Sequence, residues 1–283
     1  MDYPETELKL RQGAWELVAR ARKQVDRNSM GARRLAVYSA CVNSYDEVVD
    51  SCISVRDADH FWISDDARVA PTGWKAISIK GVYRDPRRTA KVFKILPHLL
   101  FSKYEVSIWI DANRILMTDI SALASRYLSN ANIAMFRHNK RDNVLEEARE
   151  CARRGKDDRF VIERQIERYM RFGEGPIKSW GLYSGCFIIR RHNDPEVIRL
   201  MESWWREIDK NSVRDQISFP YVRAKLGVNV AVIPGDSNDN PYFATSTHRK
   251  SRVYGAGIEG HLRKLLADLQ SAMLRLARLF YDR

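Results

Sequence analysis

The chain has 283 residues, 45% of them hydrophobic and 30% charged, which suits one large α/β domain with helical additions. A net charge of +12 at pH 7 selects anionic partners: a nucleoside diphosphate, an acidic lipid surface or a nucleic acid. No uninterrupted apolar run reaches the length of a bilayer span, no signal-peptide pattern follows Met1-Asp-Tyr-Pro-Glu5, and the four cysteines show no CxxC spacing, so a cytoplasmic protein is expected.

Residues 6–28 read as a basic helix with Leu8, Trp15, Leu17, Val18 and Val25 on its apolar side, ended at Asn28-Ser-Met-Gly31. A strand over 34–41, a short helix over 44–50 and strands over 59–64 and 74–79 follow. Asp85-Pro86 opens a helix expected to run to about Phe101. Val106–Ile110 is a buried strand that stops at Asp111, and 119–128 and 132–136 read as a helix and a strand. The highly charged stretch 142–173 reads as a solvated pair of helices. Beyond it come a strand over 182–190, a helix from Asp194-Pro195 that carries Trp204 and Trp205, a helix over 212–226, a strand over 228–233 and a polar loop over 235–246. The alternation predicts an α/β fold with a mixed, mostly parallel sheet flanked by helices. In the final helix, 258–281, Leu262, Leu266, Leu269, Met273, Leu276 and Phe280 form an a/d seam among Arg263, Lys264, Arg275 and Arg278. That seam suits packing onto the domain, a homodimer or contact with an anionic membrane surface. Three segments result: an N-terminal basic helix (1–31), the α/β domain (32–255) and a C-terminal amphipathic helix (256–283).

The chemistry gathers at strand ends. An acid at the carboxyl end of a buried strand lies where open α/β sheets bind ligands. Asp111 and Asn113, two positions apart, can share one hard cation and leave room for phosphate oxygens, and the same pair also suits a plain Asx-turn. On the preceding helix, Arg88, Lys91 and Lys94 fall at helical spacing and make one face cationic, which can neutralise a diphosphate or simply be solvated. Ser184-Gly185 enters a buried strand with little bulk, which permits close backbone approach, and Asp215 opens a helix as a cap or as a working acid. His248 would complete a mixed oxygen and nitrogen site for Mn²⁺ if it folded back onto Asp111. Nucleophile elbows, Walker loops, zinc spacings and GxGxxG are absent from the sequence.

Broadly, these residues in this order resemble GT-A nucleotide-sugar transferases of the glycogenin-like group: Lys94, Asp111-Ala-Asn113, Ser184-Gly185, Asp215-Gln216, His248. More closely, Ile108-Trp-Ile-Asp-Ala-Asn113, Arg137-His-Asn-Lys-Arg-Asp142, Glu146-Glu147-Ala148, Arg190-Arg-His-Asn193, Trp204-Trp205 and Arg214-Asp-Gln-Ile-Ser-Phe219 resemble a glycosyltransferase-like domain long of unknown function. Its plant members include a mucilage or pectin glycosyltransferase and a protein described as an alkaline ceramidase. The resemblance covers about 34–250 and leaves both terminal helices outside it. The departure from its broader pattern is Asn113, which stands where Asp-x-Asp has its second acid and offers a carbonyl oxygen without a charge.

The resemblance implies a GT-A-like fold and transfer of a hexose or pentose from a nucleoside diphosphate sugar to a glycan or lipid-linked acceptor in cell-surface polysaccharide synthesis. It implies Mn²⁺ or Mg²⁺ on Asp111, Asn113 and His248, and a donor held by Ser39, Tyr45, Asp65, Asp66, Arg88, Lys91, Lys94, Ser184, Gly185 and Lys250. Asp215 joins Asp111 as a catalytic candidate, binding sugar hydroxyls or deprotonating the acceptor, and His138, Arg141, Asp142, Glu146, Trp205 and Gln216 are assigned to the acceptor side. A cytoplasmic enzyme at the inner face of the membrane is the expected setting, with nucleic acid a disfavoured partner. Two other readings remain: a metal-dependent hydrolase of a lipid amide, and a non-catalytic basic module.

Overall fold

The computed structural model describes residues 12–29, 34–46, 48–50, 54–80, 83–172 and 175–246. The expected C-terminal helix, His248 and Lys250 lie outside these residues. The chain runs through α1 (Gln12–Asn28), β1 (Leu35–Cys41), β2 (Ala58–Ser64), β3 (Lys75–Ser78), α2 (Pro86–Ile95), β4 (Val106–Ile110), β5 (Arg114–Leu116), α3 (Ser121–Tyr127) and β6 (Ile133–Arg137). It continues through α4 (Val144–Arg153), α5 (Arg159–Phe172), β7 (Tyr183–Arg190), α6 (Pro195–Lys210), α7 (Asp215–Leu226), β8 (Ala231–Ile233) and β9 (Phe243–Thr245).

Seven strands form one sheet in the order β3-β2-β1-β4-β7-β6-β8, and β5 pairs with β9 in a separate two-stranded sheet. β7 runs antiparallel to both β4 and β6, while the other pairings in the large sheet are parallel. The expected α/β fold with a mixed, mostly parallel sheet flanked by helices is the one observed. Strand order reverses between β1 and β4, which places a crevice outside their carboxyl ends.

Alternate residues of each strand feed two apolar layers. Ala36, Tyr38 and Trp109 face one layer, shared with α1, α2, α6 and α7, whereas Leu35, Val37, Ile108 and Ile110 face the other, under α3. The first layer holds Ala14, Leu17, Val18, Ala21 and Val25 of α1, so the N-terminal helix is part of the domain's own core. Each large aliphatic side chain buried there contributes about 1.5–3 kcal/mol.

Local sequence sets the element ends. Asp85 and Asp194 accept backbone N–H bonds at the starts of α2 and α6, each followed by Pro in the first turn. Asn143 and Glu146 form a reciprocal cap on α4. α2 stops at Ile95 rather than near Phe101, because Pro97 excludes the helical conformation at Leu96, whose ψ is 53°. The short helix expected over 44–50 is instead a turn at its start, with Asn43 and Ser44 at φ 60° and 48°. β5 and β9 were hidden in the sequence, since three residues carry no readable alternation.

The string Arg190-Arg-His-Asn193 is an anchor for the backbone. Arg190, fully buried, donates to the carbonyl of Lys94 at 2.6 Å and to Tyr38 Oη. Arg191 donates to the carbonyl of Leu128, His192 Nε2 to that of Phe101 at 2.8 Å, and Asn193 to those of Ser102 and Tyr104. One short segment thereby ties down the end of α2, the end of α3 and the approach to β4.

Candidate active site

A cleft of about 700 Å³ opens outside the ends of β1 and β4, walled by α2, the loop between α4 and α5, and the start of α7. Asp111 lies at its floor. The antiparallel register sets Ile110 opposite Phe187, and Asp111 donates its N–H to the Cys186 carbonyl at 2.9 Å, so Ser184-Gly185 stands beside the acid. The β6–β7 pairing shifts register between Met135 and Phe136, whose partners are Ile188 and Ser184. Of the intervening residues of β7, Gly185 and Cys186 line the cleft while Phe187 stays in the core, a strand irregularity of the kind found near functional sites.

α2 delivers two ammonium groups to this point. Lys94 Nζ lies 2.7 Å from Asp215 Oδ2 and 3.3 Å from Asp111 Oδ1, and Lys91 Nζ lies 2.8 Å from Asp215 Oδ2. Trp109 Nε1 donates to Asp111 Oδ1 at 2.7 Å. A methyl group on Gly185 would come within 3.0 Å of Lys94 Nζ and 3.2 Å of Asp215 Oδ2, so glycine is what admits the bridge. Burial alone would push the Asp215 carboxyl up, but Lys91, Lys94 and Arg214 outweigh it and hold the group far below the usual carboxylate range. Burial pushes the Lys91 ammonium down to about 8 despite Asp215 beside it. Lys94 is held up against burial by Asp111 and Asp215.

Behind the cleft, Glu147 is fully buried. It takes Arg141 NH2 at 2.5 Å and Cys151 Sγ at 3.1 Å, with His138 Nε2 at 3.6 Å and Arg214 NH2 at 3.9 Å. His138 Nδ1 accepts the N–H groups of Lys140 and Arg141, and burial pushes the ring below its ordinary value. The expectation that 142–173 is a solvated pair therefore fails on one face: α4 buries Val144, Glu147, Ala148 and Cys151.

The structure brings together Tyr45, Lys91, Lys94, Asp111, Asn113, His138, Ser184, Gly185, Asp215 and Gln216 around one cleft. Others stand apart from it. Arg88 donates to the carbonyls of Ile208 and Asn211 and so caps the end of α6. Ser39 is buried within β1, and Asp65 receives the Asn43 N–H at 2.9 Å. Asp66 caps a 3-10 turn and pairs with Arg68. Trp205 is a core side chain whose ring centroid is 5.8 Å from that of Tyr83, so it is no acceptor wall. Arg141 is spent on Glu147, Glu146 on the α4 cap, and Asp142 is exposed outside the cleft. Trp109 and Lys156 line the cleft without having been assigned a role, and Arg214, quoted only as part of a resemblance string, lines it as well. Trp109 hides in an apolar run, and Lys156 in a charge run without periodicity.

For a divalent cation the cleft offers the Asp111 carboxylate, with the Asn113 side-chain amide two residues on. No group of three His, Cys, Asp or Glu side chains with metal-binding placement occurs among the described residues. A carboxylate and an amide oxygen fit a hard cation that takes its remaining ligands from diphosphate oxygens and water. No helix among the described residues is long and apolar enough to cross a membrane.

Residues 59–234 match the family model described as TOD1/MUCI70, glycosyltransferase-like domain. The chain is 34% identical over 163 residues to a protein of Arabidopsis thaliana named probable hexosyltransferase MUCI70, covering 54% of this chain and 28% of that one. It is 29% identical over 170 residues to alkaline ceramidase TOD1 of the same plant, covering 56% of this chain and 36% of that one. Among solved structures, the apo bifunctional glycosyltransferase WbbM superposes with a TM-score of 0.44 at 9% identity, over 73% of this chain and 40% of that one. Apo mouse xyloside xylosyltransferase 1 does so at 0.39 and 10%, over 70% of this chain and 84% of that one. With more than half of its length matched by that model, the chain belongs to the TOD1/MUCI70 glycosyltransferase-like domain family.

Proposed function

We propose that the chain transfers a hexose from a nucleoside diphosphate sugar to a glycan or lipid-linked acceptor, with a divalent cation at Asp111 and Asn113. One observation carries the reading: at the crevice where strand order reverses, the carboxylates of Asp111 and Asp215 meet on the single ammonium of Lys94. The name of the hexosyltransferase relative supports it.

Each residue has a task in this reading. The diphosphate lies at the end of β4, where Lys94 meets its charge as the sugar departs. Bound there, the cation supplies Lewis-acid stabilisation of the leaving diphosphate. Asp215 stays ionised far below neutral pH, so it is a weak proton acceptor and is suited to accepting hydroxyl hydrogen bonds or opposing positive charge on the sugar ring. Gly185 leaves room for the Lys94–Asp215 bridge against the strand, and His138 and Gln216 face the acceptor side. The reading extends to polysaccharide synthesis at the inner face of a membrane.

The test is a thermal-shift panel of nucleoside diphosphates and their sugars with and without Mn²⁺, followed by a transfer assay with whichever donor raises the melting temperature. A flat panel overturns the transferase reading. Release of fatty acid from ceramide with no nucleotide sugar present would support the lipid-amide hydrolase instead.

A further inference from the structure

The cleft holds a second group of cations that the lysine bridge does not use. Lys156, in the loop between α4 and α5, is half-buried and lines the cleft. Its ammonium has no hydrogen-bond or ion-pair acceptor among the described residues, although its backbone carbonyl takes Arg87 NH1 at 2.6 Å. Arg214 lines the same wall, and its Nε is buried with no acceptor among the described residues. Glu147 is held closely by Arg141 at 2.5 Å and by Cys151, and Arg214 reaches it only at 3.9 Å while donating to Gln216 Oε1 at 3.2 Å, so of the two the ammonium of Lys156 is the cation left without an acceptor among the described residues. Burial and the repulsion of Arg214 and Arg141 push the Lys156 ammonium below its ordinary value. Like charges crowded into a partly dry wall are costly unless an anion joins them. The lysines of α2 differ, since Asp215 and Asp111 satisfy them.

Resting on the transferase reading, we propose that Lys156 and Arg214 form a subsite for an acidic sugar, a saccharide whose carboxylate takes a hydrogen bond from the Lys156 ammonium and lies against the Arg214 guanidinium. A carboxylate there takes a charge-assisted bond from Lys156 and offsets the charge of both cations. The carboxylate belongs either to the donor sugar or to the acceptor, and the chemistry of the wall is the same for both.

The experiment measures binding of the full chain, wild type and Lys156→Gln, to five probes: UDP, UDP-glucose, UDP-glucuronate, maltotetraose and a hyaluronan tetrasaccharide. The expected result is about tenfold tighter binding of the charged member of one pair, lost in Lys156→Gln, with UDP binding the same in both proteins. Preference within the nucleotide sugars assigns the carboxylate to the donor, and preference within the oligosaccharides assigns it to the acceptor. Absence of preference in both pairs overturns the subsite. Equal weakening of UDP in the variant also overturns it, because Lys156 would then hold diphosphate. Failure of every nucleotide to bind the wild type sinks the transferase reading itself, while the oligosaccharide pair still reports on the wall.

Discussion

Lys94 Nζ stands 2.7 Å from Asp215 Oδ2, and the same ammonium reaches Asp111 Oδ1 at 3.3 Å. One cation from α2 therefore couples the end of β4 to the start of α7. Lys94→Met leaves Lys91 and Arg214 to compensate Asp215, and breaking a buried ion pair costs about 3–5 kcal/mol when no second partner remains. With Lys91 still in place, the unfolding free energy should drop by about 2 kcal/mol, and transfer should fall about 100-fold. Urea denaturation and initial rates check this. A variant with the wild-type rate contradicts the bridge as a working part of the site.

Gly185→Ala separates space from charge. The new methyl would sit 3.0 Å from Lys94 Nζ, the far end of a flexible side chain, so the fold can yield by moving the ammonium. The expected outcome is a melting temperature close to wild type with at least about a tenfold loss in turnover, since small misplacements of catalytic groups are expensive. Unchanged turnover would show that the ammonium position is not critical.

Asp111→Ala should abolish transfer while circular dichroism reports an intact fold, because the side chain is partly exposed in the cleft and not part of the core. Asn113→Asp should do the reverse for the cation. A second carboxylate adds a charge to the ligand set, and Mn²⁺ should activate at about tenfold lower concentration. A Mn²⁺ titration of activity that shows no shift, or a shift to higher concentration, removes Asn113 from the cation site.

Burial pushes His60 and His192 down to about 4, so both are neutral in the folded protein at neutral pH. Each folded-state value lies below the unfolded one, so the unfolded chain binds more protons and stability falls as pH drops from about 6.5 toward 4. Between pH 8 and pH 5 each ring accounts for about 2 kcal/mol of that loss. His192→Gln should flatten the pH dependence of the urea midpoint over this window by about that amount. An unchanged slope would contradict the buried neutral ring.

The sheet was legible in the sequence because its strands are apolar on both faces and end at acids, turns or glycine. Val106–Ile110 and Tyr183–Arg190 are fully buried runs, and such runs announce themselves. The site was legible where chemistry coincides with an element boundary, as at Asp111, Gly185 and Asp215. It was not legible on the helices, where spacing shows a shared face without showing what that face meets. Arg88, Lys91 and Lys94 look alike in sequence, yet Arg88 caps α6 while the two lysines enter the cleft. Glu147 and Lys156 were lost among 142–173 because charge alone does not separate a buried network from a wet surface. Trp205 misled for the opposite reason: aromatic bulk near a site more often fills the core.

The segment Arg190–Asn193 touches none of the chemistry, yet three of its side chains meet carbonyls at the end of α2 or on the approach to β4. Damage there would loosen Lys94 and Asp111 together from a distance. In a screen scored by product alone, substitutions in this string would mimic loss of catalytic residues, while in the cell they would act through how much folded protein survives. Scoring abundance beside turnover separates the two, and it would divide the residues around the cleft into those that keep the scaffold and those that act in the reaction.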